Sequence, residues 1–298
     1  MASRRQLDQF HGMNRVALTK MTALIDVVIF VSVHGKDPTP TDISKELRRY
    51  VTKLAGDFPN RNTTDPRQLH QAEKWMSENL SQGDPSRHKV SRQAYKAAGE
   101  TFATLELELR GQAEPENIIV IGAHYGSVPG RPAANDNGSG VAALLYLAKQ
   151  FITMPKPKRT LRFVAFVNEE PPHFQTDAMG SLVYAKRCQA RGEKITAMLS
   201  LETLGYYTDA KKSQKYPPLL SAVYPSEGNF LAFVGNPSSK FSQKEISETQ
   251  HASCGKRSLS CRTPRDRVVR PLVLLASGLP GSHDHGHRAF PLPALSLA

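Results

Sequence analysis

Five side chains between residues 124 and 202 are of the types that hold a metal cation. His124 follows the apolar run Ile118-Ile119-Val120-Ile121, Glu169 and Glu170 follow the stretch Thr160 to Val167, and Glu202 closes Ile195 to Leu201. Asp136 lies between the first two, in the loop Ala134-Asn135-Asp136-Asn137-Gly138-Ser139-Gly140. Taken singly, each has an ordinary reading: a strand-end histidine is more often a hydrogen-bonded structural residue, and an acidic pair after a strand is usually a solvated turn or helix cap. Taken together they form a pattern. Imidazole and carboxylate groups at successive strand ends of one parallel sheet converge on one crevice, and a mixed histidine and carboxylate set suits zinc. The chain has no His-Glu-x-x-His helix, which excludes a thermolysin-like arrangement.

The elements that must position these groups can be read from periodicity. Ile43, Leu47, Tyr50, Val51 and Leu54 recur at three- and four-residue steps, and a second amphipathic run covers Leu69 to Leu80, so two helices precede the sheet. Phe102 to Leu109 alternates as an edge or half-exposed strand does, whereas Ile118 to Ile121 is a continuous run expected of a central strand buried on both faces. Gly138 to Phe151 reads as a helix opened by small residues, Thr160 to Val167 as a central strand, Asp177 to Ala190 as a helix and Ile195 to Leu201 as a strand. This alternation implies a largely parallel sheet covered on both faces, with reactive groups at the carboxyl ends of its strands.

Composition is that of a globular protein: 298 residues, 39% hydrophobic and 22% charged. A single large α/β domain is the default. Cys188, Cys254 and Cys261 are too few and too irregular for a disulfide framework or a cysteine zinc site. The net charge of +12 draws +5 from Lys240 onward, where nine Lys/Arg face four Asp/Glu, and no basic run with interleaved aromatics occurs elsewhere. A nucleic-acid partner is therefore not expected. Scattered positive charges precede an apolar stretch from Met21 to Val33, the outline of a secretory signal or membrane anchor. Asp26 interrupts it, no small-x-small cleavage site follows in Val33-His34-Gly35-Lys36, and it is shorter than the roughly 18 residues a spanning helix needs. Residues 1–40 are expected to be a buried or dangling segment, with an extracytoplasmic or membrane-associated protein as the alternative.

Four segments carry a resemblance to a known family. Gly122-Ala123-His124-Tyr125, Asn135-Asp136-Asn137-Gly138-Ser139-Gly140, Val167-Asn168-Glu169-Glu170-Pro171-Pro172 and Leu201-Glu202-Thr203-Leu204-Gly205 resemble, in order and spacing, the motifs of the co-catalytic zinc aminopeptidases of the leucyl aminopeptidase and aminopeptidase Y group. The similarity runs from about Tyr50 to about Asn236. It implies a three-layer α/β/α sandwich around a mixed, largely parallel sheet, and hydrolysis of the first peptide bond of a substrate with a free amino terminus. Two zinc ions are implied, with Asp136 bridging them, His124 and Glu202 completing one site and Glu170 contributing to the other. Glu169 is implied as the general base that takes the proton of a metal-acidified water. Two other readings remain: a glutaminyl-cyclase-like zinc acyltransferase, which is similar in fold and uses a single zinc, and a non-catalytic peptidase-like binding domain.

The chain departs from the family pattern in two places. Where the family has His-x-Asp, the aspartate orienting the ligand histidine, this chain has Gly126; losing such a partner typically costs about 10- to 100-fold in metal affinity or activity. The family's last ligand, a histidine in Ser-Asp-His, is not readable in this frame, but it is readable in another. Joining the last two bases of each codon to the first of the next, Val268 to Leu275 can spell Trp-Ser-Asp-His-Trp-Ser-Phe-Trp. Gly278 to His283 can then spell Gly-Tyr-Pro-Ala-Leu-Met, and His285 to Arg288 Thr-Asp-Thr-Ala. The expected organisation is therefore a catalytic domain over 41–240 and a frameshifted, non-native tail over 241–298. The last metal-ligand segment and its strand would be missing, and one zinc or weak binding would replace two. The eye-catching His283-Asp284-His285-Gly286-His287 is then a product of chance.

Overall fold

The structure, a computed structural model, describes residues 40–214, 226–228, 231–235 and 273–277. Helix α1 (Pro40–Asp57) presents Tyr50 and Leu54 to the core and stops before Pro59, which disfavours helical backbone at the residue ahead of it. Helix α2 (Pro66–Leu80) starts with Asp65 accepting the Gln68 N–H and Pro66 at its first position, where a missing N–H costs nothing. Leu69, Ala72, Met76 and Leu80 form its buried stripe.

Strands β1 (Lys89–Ala97) and β2 (Glu100–Leu109) form an antiparallel hairpin across Ala98-Gly99, whose positive φ values of 49° and 83° suit a two-residue turn matched to strand twist. β3 (Glu114–His124), α3 (Gly138–Thr153), β4 (Arg159–Phe166), α4 (Gly180–Ala190) and β5 (Lys194–Glu202) follow in alternation, then β6 (Leu231–Gly235) and β7 (Val273–Ser277). The sheet order is β1-β2-β4-β3-β5-β7-β6. β4, β3, β5 and β7 run parallel at its centre, and β1, β2 and β6 pair antiparallel towards its two edges. Helices α1, α2 and α3 share one core with Phe163 and Ala165 of β4, while Tyr184 and Cys188 of α4 pack on Ile118, Val120, Val164 and Phe166 from the opposite face. The result is the three-layer α/β/α arrangement around a mixed sheet.

Three details differ from the sequence reading. Phe102 to Leu109 is not an edge: β2 lies between β1 and β4, and residues 102–107 are buried throughout. β1, unpredicted, takes the edge; its alternating polar and part-buried residues suit a strand covered on one side. The tail was expected to add no strand, yet Val273–Ser277 pairs with β5 in register Leu199 with Val273 to Glu202 with Ala276, since a short apolar run is sufficient to cap an open parallel edge. The rest of 241–298, the histidine cluster at 283–287 and the segment 1–39 lie outside the described residues. Among the described residues no helix is long and apolar enough to cross a membrane.

Candidate metal centre

Parallel strands of one sheet end on one side of the molecule, and that is where the five predicted residues meet. His124 is the last residue of β3 and is 3% exposed. Its Nε2 stands 3.3 Å from Asp136 Oδ1, 3.3 Å from Glu202 Oε2 and 3.6 Å from Glu169 Oε2. Ligand atoms of His124, Asp136 and Glu170 all lie within 4.8 Å of one another. Glu202 is the last residue of β5, and Ser200 Oγ donates to it at 3.0 Å. Glu169 and Glu170 come off the end of β4, where Asn168 turns the chain with φ 54°. Asparagine tolerates this left-handed conformation better than most side chains.

One side chain to which the sequence reading gave no role sets the spacing of two of these residues. Asn137 caps α3 by accepting the Gly140 N–H at 3.1 Å. It also donates to Leu201 O at 2.8 Å and accepts from Thr203 N at 3.3 Å, which are the backbone groups on either side of Glu202. Asn137 directly follows Asp136, so it ties the Asp136 loop to the end of β5. Thr203, β-branched and at φ 48°, is a strained residue held partly by that bond. Asn135 Oδ1 adds a second tie by accepting from Gly205 N at 2.8 Å. The signal for Asn137 was present in the sequence as a cap residue opening a glycine-rich helix.

The electrostatics follow from crowding. Burial pushes the Glu169 carboxyl up, against His124 and reinforced by Glu202 and Asp136. Glu170 is pushed up to about 7, again mainly by burial. Burial opposes a charge on His124, but Glu202, Glu169 and Asp136 outweigh it and raise the imidazole well above its ordinary value. Four carboxylates surrounding one buried imidazole are a charge distribution that a divalent cation would satisfy, and oxygen and imidazole donors fit zinc. The second ring nitrogen tells a complementary story. His124 Nδ1 is buried with no hydrogen-bond partner among the described residues. Gly126, where the resemblance implies an aspartate, has no side chain to offer it, and space is not the obstacle: a Cβ there would meet nothing nearer than Arg61 O at 3.8 Å and Asn168 N at 3.9 Å.

An α/β/α sandwich whose strand ends and one adjoining loop bring together one imidazole and four carboxylates has the build of a metal-dependent hydrolase. The chain belongs to peptidase family M28, whose model matches residues 105–256. It is 33% identical over 224 residues to the protein YfbL of Escherichia coli, covering 71% of this chain and 67% of that one. With aminopeptidase YwaD of Bacillus subtilis it shares 43% identity over 65 residues, 20% of this chain and 14% of YwaD. Among solved structures, the Legionella pneumophila LapA aminopeptidase aligns with a TM-score of 0.48 at 20% identity, over 63% of this chain and 52% of that one.

Proposed function

We propose that this chain is a zinc-dependent exopeptidase of the aminopeptidase type, acting on peptides with a free amino terminus. The convergence of His124, Asp136, Glu169, Glu170 and Glu202 on one crevice is the observation that carries the reading. In it, His124, Asp136, Glu170 and Glu202 hold zinc and Glu169 is the general base. Zinc, when bound, supplies a Lewis acid for the scissile carbonyl and acidifies water enough for a carboxylate to deprotonate it near neutral pH. Glu169 suits the base's role because it stands beside the proposed ligands, 3.6 Å from His124 Nε2, without being needed as one of them. Having taken the proton, it stands ready to return it to the departing amine. His124 is held by its place at the end of β3, and Asn137 keeps the Asp136 loop against the strand end that carries Glu202.

Two departures restrict turnover in this reading. Gly126 leaves His124 Nδ1 without an orienting carboxylate, and the last histidine falls in another frame. The codon pattern over Val268 to Arg288 supports a frame change between about Ser238 and Lys256, and reading the gene across codons 236 to 298 tests it directly. The chain as written is expected to hold zinc and turn over slowly, and the restored frame to turn over fast.

The test compares both frames on dipeptides with free and with acetylated amino termini. The expected result is hydrolysis of the free substrates only, faster in the restored frame, and lowered about 10²- to 10⁴-fold by Glu169→Gln. A restored-frame protein that hydrolyses no N-terminally free peptide overturns the proposal. Cyclisation of an N-terminal glutamine peptide in its place would reassign the chemistry to an acyl transfer of the glutaminyl cyclase kind.

A further inference from the structure

Arg61 sits in the loop between α1 and α2, far in sequence from the metal centre, and its side chain is completely buried. A buried guanidinium ordinarily pairs with a carboxylate. This one instead donates to five backbone carbonyls. Its Nε donates to Tyr125 O at 2.7 Å, its Nη1 to Pro132 O at 2.7 Å and to Leu54 O and Phe58 O at 3.3 Å each, and its Nη2 to Ala133 O at 2.8 Å. The Arg61 carbonyl in turn accepts the Ser127 N–H at 3.0 Å.

Those acceptors are not scattered. Tyr125 directly follows His124, and Pro132 and Ala133 stand just ahead of Asp136. A single side chain thus joins the strand end that carries His124 to the loop that carries Asp136, and fastens both to the end of α1. Ala133 has φ 49°, a left-handed conformation costing an alanine roughly 1–2 kcal/mol, so something must hold it there. Its carbonyl receives both Arg61 Nη2 and the Gly138 N–H, the latter at 3.0 Å. A Cβ on residue 138 would press on that same carbonyl at 2.8 Å, which is why glycine opens the helix here. Charge couples Arg61 to the centre as well. Burial pulls the guanidinium down to about 10, and the carboxylates of Asp136 and Glu170 oppose that fall.

We infer that Arg61 is the positioning residue of the metal centre, fixing the His124 strand end against the Asp136 loop so that the ligands are held ready for their cation. The inference rests on the reading of this cluster as a zinc site. Lysine at 61 would keep the charge, but a compact ammonium with three donors cannot reproduce a planar fork spread over carbonyls of three segments.

The experiment measures zinc affinity of wild type, Arg61→Lys and Met76→Ala by competition with a chelator, together with the visible spectrum of each loaded with cobalt(II). Met76 is fully buried on α2 and touches none of the Arg61 bonds, so Met76→Ala controls for loss of stability alone. Arg61→Lys is expected to lose about 10- to 100-fold in affinity and to change the cobalt spectrum, whereas Met76→Ala keeps both even where its melting temperature falls as far. An Arg61→Lys protein within about twofold of wild type, or a Met76→Ala protein that loses as much, overturns the inference. Wild type that binds no zinc overturns the metal-site reading itself, and the inference with it. Amide hydrogen exchange on wild type needs no variant to fold: zinc is expected to slow exchange over residues 58–65 as well as 125–138, and unchanged exchange at 58–65 counts against Arg61.

Discussion

Among the described residues, two of the clusters of buried charge are built in opposite ways. On the face of the sheet covered by α4, Arg162 meets Glu193 through both terminal nitrogens, at 2.6 and 3.1 Å, and Glu108 through Nε at 2.9 Å. Arg187 and the Tyr184 hydroxyl close on Glu106 at 2.5 and 2.7 Å. Two guanidiniums and a phenol serve three carboxylates there, and Glu193 is held below its usual value by Arg162 and Cys188 despite burial. At the strand ends, four carboxylates crowd one imidazole, and burial lifts Glu169 and Glu170 instead. The first cluster supplies its own counter-charge. In the proposed reading a cation completes the second, so the same residue types make a structural network in one place and a candidate metal centre in the other.

Substitutions should separate the two. The largest effect is expected from Arg162→Met, which strands the carboxylates of Glu108 and Glu193. Removing one partner of a buried ion pair costs about 3–5 kcal/mol, read as a lower urea midpoint, with zinc affinity unchanged. Gly126→Asp acts on the other cluster, giving His124 Nδ1 an acceptor, and is expected to tighten zinc about 10- to 100-fold in a chelator competition. Glu170→Gln removes a carboxyl that is unfavourable when ionised. At pH about 8 the metal-free protein should gain roughly 1–2 kcal/mol in urea while its zinc affinity drops.

The smallest effect is one of pH. Glu170 has a folded-state value of about 7, above that of a free glutamate, so the folded state binds the extra proton and its stabilisation is lost as pH rises from about 4.5 through 7. His124, also raised, titrates with the same sign. Melting of the metal-free protein should therefore fall by a few degrees between about pH 5 and 8. Saturating zinc, which binds deprotonated ligands, should reverse that slope.

The candidate metal centre was legible in the sequence because its groups carry their chemistry in their residue type and sit at, or in a loop after, the ends of recognisable strands. His124, Asp136, Glu169, Glu170 and Glu202 could each be named, and the structure brings them together. Arg61 could not be found that way, and Asn137 was visible only as a helix cap and not as a tie to the end of β5. The partners that tie them to the cluster are main-chain carbonyls and N–H groups 64 to 72 residues distant, which every residue offers alike. The helices of the α1, α2 and α3 layer were visible in their periodicity. β1 was not, because a polar edge strand has few apolar residues to count, and β2 was misplaced because its alternating Glu106 and Glu108 look exposed until Arg162 and Arg187 are brought over them.

Titration of the metal-free protein with zinc, for wild type and Asp136→Asn side by side, decides whether the strand-end cluster is a metal centre. A single tightly held zinc ion per wild-type chain is expected, lost or greatly weakened in Asp136→Asn, whose fold by circular dichroism stays intact. Wild type that takes up no zinc, or Asp136→Asn that binds it as tightly, would contradict the reading of these five residues.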